Sequence, residues 1–172
     1  VRKLRASAST NITWIDVPLP EDGDDPYQIA AETLTTWCRS GVLIRDDMQA
    51  FTIYRMSFAD ESGTQRTISG VIGALEVVPE GAGGVLPHER TTPKASTDRL
   101  ELTIATNANL WPVCGLSRAS GLSRLLETPG EHLGRVTVDG VTHTVERVSE
   151  PERVAEIEKL VSAADVLIAD GH

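Results

Sequence analysis

Val136-Thr137-Val138, the dipeptide Asp139-Gly140 and the run Val141 to Val148 constrain the fold of this chain more than any other feature. Asp-Gly supplies the positive backbone φ angles that a two-residue hairpin turn requires, and the β-branched residues on either side favour extended backbone. Three more strand candidates precede it: Val42 to Ile44, Ala50 to Phe58 and Arg66 to Val78, the last two joined by the turn-rich Asp60-Glu61-Ser62-Gly63. These segments read as an antiparallel meander.

Around that meander the apolar spacing changes. Ile12, Trp14, Ile15 and Val17 read as a first strand closed by Pro18 and Pro20, followed by an acidic loop. Asp25 is a fitting N-cap and Pro26 a fitting first helical residue. Tyr27, Ala30, Ala31, Leu34, Trp37 and Cys38 then recur at helical spacing until Gly41. Ser96 to Asn109 reads as a helix displaying Asp98, Arg99 and Asn107, Trp111 to Leu116 as a short buried strand, and Gly121 to Leu126 as a helical turn. Ser149-Glu150-Pro151-Glu152 has the form of a capping box, with a helix running to about Ala163. Val166-Leu167-Ile168 then makes a strand that carries Asp170-Gly171-His172 at its carboxyl end. No internal repeat or low-complexity segment interrupts this order. The expected fold is therefore α+β, with a mixed, largely antiparallel sheet and about three helices in one domain. Residues 1–80 form a helix-plus-meander half and residues 81–172 a motif-bearing half, joined by the glycine-rich hinge Pro79 to Gly84.

Composition narrows the function. The chain has 172 residues with 25 acidic and 16 basic side chains, a net charge of −9, so it lacks the cationic surplus that gripping nucleic acid or an anionic membrane non-specifically demands. Aromatic residues are only 4% of the chain, which leaves Val, Leu, Ile and Ala to build the core. No run approaches the roughly 20 apolar residues of a membrane span. The basic start Val1-Arg2-Lys3-Leu4-Arg5 is not followed by the apolar stretch of a secretory signal, which leaves the cytoplasm as the expected location. Cys38 and Cys114 are too far apart for a CxxC site and are expected to be small buried residues.

Two places can carry chemistry. The first is Val85-Leu86-Pro87-His88-Glu89-Arg90-Thr91-Thr92-Pro93-Lys94, where a carboxylate and an imidazole sit beside the cations Arg90, Lys94 and, further on, Arg99. A carboxylate can accept a proton from a substrate hydroxyl, and guanidinium groups can hold a carboxylate or phosphate bidentately. The same composition also describes a solvated charged loop with local hydrogen bonds. The second place is Asp170-Gly171-His172, where glycine after a strand allows close backbone approach to an anion. There the alternative is a helix-capping Asp170 and a simple turn at Gly171.

Taken as a set, Leu86-Pro87-His88-Glu89-Arg90-Thr91, Pro93-Lys94, Asp98-Arg99-Leu100, Ala105-Thr106-Asn107-Ala108-Asn109, Pro112 with Gly115-Leu116, and Ile168-Ala169-Asp170-Gly171-His172 resemble the prokaryotic family catalogued as domain of unknown function 1015. Ala31-Glu32-Thr33 and Gly41-Val42-Leu43 extend the resemblance over most of the chain. In that family the last motif continues as Asp-Gly-His-His-Arg and a helix, similar to the phosphate-binding turn of ParB/sulfiredoxin-like proteins, some relatives of which phosphorylate free L-serine. This sequence departs from the pattern in stopping at the first His and in placing Trp111 before the proline. It is expected to be a fragment of a longer protein, and inactive by itself.

The resemblance implies a small-molecule phosphotransferase acting on serine or a similar hydroxy amino acid, resembling in part a ParB/sulfiredoxin-like fold. Glu89 would be the base with His88 beside it. Arg90, Lys94, Arg99 and Asn107 would bind substrate or phosphate, and Asp170, Gly171 and His172 would form the phosphate turn. The donor would be ATP, ADP or pyrophosphate with Mg²⁺ held mainly through its phosphates, and no protein metal site is expected. The alternatives are a non-catalytic ParB-like nucleotide-binding switch and a metal-dependent hydrolase using His88, Glu89, Asp170 and His172. Adjacent His88 and Glu89 do not readily face one ion from a regular element. Sulfiredoxin-type redox chemistry needs a cysteine at the phosphate turn, where this chain has His172.

Overall fold

In the computed structural model, which describes residues 1–22, 25–79, 81–87 and 93–171, helices come first and are then interspersed with strands along the chain. They are α1 (Arg2–Ser7), α2 (Thr13–Asp16), α3 (Pro26–Ser40), β1 (Phe51–Ala59), β2 (Gln65–Ile72), β3 (Val85–Leu86), α4 (Pro93–Thr106), β4 (Cys114–Ser117), α5 (Leu122–Leu125), β5 (Glu131–Val138), β6 (Val141–Val148), α6 (Pro151–Ser162) and β7 (Val166–Asp170). The chain is α+β with mostly antiparallel strands, as expected. Three helices, α3, α4 and α6, are long, and three more are single turns or little more. None of the described helices is long and apolar enough to cross a membrane. Internal packing divides the chain into two compact units. One takes the described residues of Val1–Arg45, Glu89–Val113 and Gly171–His172, the other those of Asp46–His88 and Cys114–Asp170. Each unit therefore draws on both halves of the sequence.

The second unit holds a four-stranded antiparallel sheet of order β2-β1-β6-β5. The β5–β6 turn is made as the Asp-Gly pair dictates, with φ of 49° at Asp139 and 79° at Gly140. In the β1–β2 turn Asp60 Oδ1 accepts from the backbone N–H of Ser62 at 3.0 Å and of Thr64 at 2.9 Å, closing the loop locally. One sheet face presents Ile53 and Val148, which pack with Leu126 and Ile157 into a buried cluster flanked by Leu122, Val154 and Val161 of α5 and α6. On that same face Arg55 Nε meets Glu146 Oε2 at 3.1 Å across the β1–β6 pair. Glu146 Oε2 also accepts from Gly130 N at 3.2 Å, where a Cβ would collide with the Arg147 carbonyl. A smaller sheet, β3-β7-β4, runs parallel at β3–β7 and antiparallel at β4–β7.

The first unit is helical. Asp25 Oδ1 accepts from the backbone N–H of Tyr27 and Gln28, both at 3.1 Å, and Gly41 ends α3 at φ 75°. Ala30 and Trp37 of α3 are buried with Ile15 and Leu102, and Tyr27, Leu34, Leu110 and Trp111 pack around them.

Several local expectations are corrected. Ile12 to Val17 is not a strand. Asn11 Oδ1 accepts from Thr13 N at 3.1 Å and Thr13 Oγ1 at 2.8 Å, starting the helical turn of α2. The largely buried Arg5 then donates to the carbonyls of Thr13 and Val17 at the end of that turn. Val42 to Ile44 is not a strand either, because the amides of Val42 and Leu43 are spent on the Trp37 carbonyl at the end of α3. β2 stops at Ile72 rather than Val78, since its ladder with β1 ends at the Thr52–Ile72 pair. The strand expected at Trp111 begins at Cys114 and is mostly exposed. The helix expected over 96–109 is α4, and it ends at Thr106. Ser149 does not form a capping box: Glu150 occupies the N-cap with no side-chain cap bond. Both cysteines are exposed. Cys38 falls beside the buried stripe of Ala30 and Trp37, and Cys114 lies on an outer strand.

Ile53→Ala should lower the unfolding free energy by about 2–5 kcal/mol in urea denaturation, because it empties a site of zero exposure under α6. Asp25→Ala should cost about 1 kcal/mol by loss of the α3 cap.

Candidate functional site

The expected site residues fall into three groups. His88, Glu89, Arg90, the side chain of Lys94, and His172 lie outside the described residues. Asp170 is the last residue of β7, cross-strand from Cys114 beside a register shift, and Gly171 follows it at φ 75°, a conformation that suits glycine. Arg99 and Asn107 belong to α4 and its end.

Asn107 is not displayed on the helix. It stands immediately after Thr106 at φ 49°, the left-handed residue that terminates α4, a position that asparagine tolerates better than most side chains. Arg99 is the centre of the described polar cluster. Its guanidinium lies 4.2 Å from the centroid of the Trp111 ring, donates to the Asp16 carbonyl oxygen at 3.3 Å, and pairs with Asp98 Oδ2 at 3.1 Å. Asp98 in turn accepts from the Tyr27 hydroxyl at 2.7 Å. The Arg99 and Asp98 side chains remain about half exposed, at 48% and 49%. A planar cation stacked on an indole, with its edge in water, is suited to a carboxylate or a phosphate.

The electrostatics follow from this geometry. The bond from its hydroxyl to Asp98 pushes the Tyr27 phenol up to about 12, with burial and the charges of Asp98 and Glu101 adding to the effect and Arg99 opposing it. Burial raises the Asp16 carboxyl above its ordinary value while Arg99 draws it back, and its Oδ1 is buried with no hydrogen-bond partner among the described residues. Asp16, Tyr27 and Trp111 carry no sequence signal for this role: Tyr27 lies 71 positions from Asp98. Among the described residues no group of three or more His, Cys, Asp or Glu side chains converges as a metal site would require.

The model of the family described as "Protein of unknown function (DUF1015)" matches residues 1–172. The chain belongs to the DUF1015 family. Comparison with curated proteins and with solved structures returned no match. The family match spans both the Pro87 to Asn109 stretch and the Asp170-Gly171-His172 end of this DUF1015 chain.

A Tyr54→Phe variant leaves Tyr27 as the single phenol. Its absorbance titration should have a midpoint near 12, falling towards 10 when Asp98→Asn is added. The hydrogen bond needs the protonated phenol, so its contribution to stability is complete below pH 10 and is lost as the pH rises through about 12. A midpoint near 10 in the Tyr54→Phe protein would show that the Tyr27–Asp98 bond is not made in solution.

Proposed function

We propose that this DUF1015 protein is a small-molecule phosphotransferase that transfers a phosphoryl group to the hydroxyl of a free amino acid such as L-serine. The observation that supports the reading is the half-exposed Arg99 guanidinium, held by Trp111, Asp98 and the Asp16 carbonyl, on the helix that directly follows the His88-Glu89-Arg90 segment. Phosphoryl transfer asks little covalent chemistry of the protein and much positioning and charge stabilisation. Glu89 orients the acceptor hydroxyl and takes its proton as the new O–P bond forms and the bond to the donor's leaving oxygen breaks, with His88 beside it. Arg90, Lys94 and Arg99 hold the anionic groups, and the Asp170-Gly171-His172 turn receives phosphate through backbone N–H groups. Mg²⁺ would be held mainly through the phosphates of ATP, ADP or pyrophosphate, where it would supply charge neutralisation.

Incubating the full-length protein with L-serine, Mg²⁺ and each donor in turn should produce phosphoserine in the phosphorus NMR spectrum. Glu89→Gln should lower the rate by about 10²- to 10⁴-fold with the fold intact. Arg99→Ala should lower kcat/KM by about ten- to a hundredfold, the range for losing a charged hydrogen bond. Absence of turnover with every donor overturns the reading, and nucleotide binding without turnover then identifies a ParB-like switch.

A further inference from the structure

Arg99 does not act as a lone cation. Its guanidinium pairs with Asp98 Oδ2 at 3.1 Å, although residues adjacent on a helix do not ordinarily face each other. Stacking on Trp111 at 4.2 Å and the bond to the Asp16 carbonyl at 3.3 Å draw the guanidinium to one side of α4. The Tyr27 hydroxyl holds Asp98 Oδ1 at 2.7 Å, so each charge is fixed beside the other. All of these residues belong to the first unit.

Both groups keep capacity for a ligand. A guanidinium has more N–H groups than one carbonyl and one carboxylate oxygen occupy, and each oxygen of a carboxylate can accept a second hydrogen bond. With Trp111 against one face of the guanidinium, a ligand meets its edge, the approach that suits a carboxylate. The surroundings select against a simple anion. A phosphate at Arg99 stands almost as close to the Asp98 carboxylate as to the guanidinium, and the two Coulomb interactions have opposite sign. The Asp16 carboxyl also lies within electrostatic reach of Arg99. A dipolar ligand escapes this opposition. An α-amino acid carries its ammonium and its carboxylate on one carbon. With the carboxylate on Arg99 and the ammonium on Asp98, the charges close a ring in which opposite signs alternate.

We infer that Asp98 and Arg99 together form the subsite for the α-ammonium and α-carboxylate of a free amino acid, with Asp98 setting the preference for an amino acid over a hydroxy acid or an inorganic anion. The inference rests on the phosphotransferase reading for the role of that amino acid as acceptor, and it sorts the anionic groups of that reaction. The carboxylate of the acceptor goes to Arg99, while the donor phosphates go to Arg90, Lys94 and the Asp170-Gly171-His172 turn. A ligand lacking either α-group leaves one charge of the pair unanswered and is bound more weakly.

Isothermal titration calorimetry of the full-length protein, with no donor present, tests the subsite apart from any turnover. L-Serine should bind. Hydroxypropionate, its analogue without the ammonium, ethanolamine, which lacks the carboxylate, and inorganic phosphate should each bind at least about tenfold more weakly. Asp98→Asn keeps an acceptor for the Tyr27 hydroxyl, so its circular dichroism should match the parent. It should weaken L-serine by about ten- to a hundredfold and leave hydroxypropionate unchanged or tighter, whereas a merely structural role for Asp98 would weaken both alike. In the turnover assay the same variant should raise KM for L-serine by a similar factor without changing KM for the donor. Binding of L-serine in this pattern with no turnover on any donor keeps the subsite and overturns only the phosphotransferase reading. Failure of L-serine to bind, equal affinity for L-serine and hydroxypropionate, or turnover with a serine KM insensitive to Asp98→Asn overturns the inference.

Discussion

Everything in the larger unit depends on which way the side chains of β1 point. Ile53, Arg55 and Ser57 face one side of the sheet, and Tyr54, Met56 and Phe58 the other. A slip of one residue would exchange the two sets, exposing Ile53 and driving Tyr54 under the helices. The register is held at three points. The Asp139-Gly140 turn allows one pairing of β5 with β6, the Asp60 carboxylate closes the β1–β2 connection, and the Arg55–Glu146 pair lies across β1 and β6 with side chains only 14% and 10% exposed. A desolvated pair of this kind is weak as a source of net stability. Separating its partners is costly, however, so it penalises the wrong register more than it rewards the right one.

In the smaller unit the equivalent role falls to a contact between helices. Tyr27 is on the first turn of α3, and its hydroxyl reaches Asp98 of α4 while its ring packs against the Ile15, Ala30, Trp37 and Leu102 cluster. Asp98 then holds Arg99, and Trp111 lies under the guanidinium. A cation with this many constraints keeps little rotamer freedom, and ligand binding loses correspondingly less entropy in ordering it. The same neighbours that fix Arg99 also temper it, since Asp98 shares its charge. An anion arriving there competes with a carboxylate for one guanidinium.

How much of this was legible beforehand depended on distance along the chain. Asp25, Pro26 and Gly41 marked both ends of α3, and Asp139-Gly140 marked the β5–β6 turn, because caps and turns are made by residues within four positions of one another. The structure departs from residue preference where a nearby hydrogen-bond partner claims the backbone first. Ile12 to Val17 has β-branched residues suited to a strand, yet among the described residues it pairs with none, while Asn11 and Arg5 satisfy its backbone as a helical turn. Val42 and Leu43 were claimed by the end of the preceding helix. Asn107 was legible as a polar residue near a helix, but its left-handed backbone shows it ending α4.

The sequence by itself determined the α+β class, the principal hairpins, the capped helix α3 and membership of the DUF1015 family, all properties carried by short-range backbone preferences or by motifs in linear order. Only the tertiary structure decided that the strands divide into two sheets, that both cysteines are exposed, and that Arg99 is bracketed by Trp111, Asp98 and Asp16. Those outcomes turn on which distant surfaces meet. Burial and ion pairing are properties of a pair of groups in space, and no spacing along the chain encodes the partner.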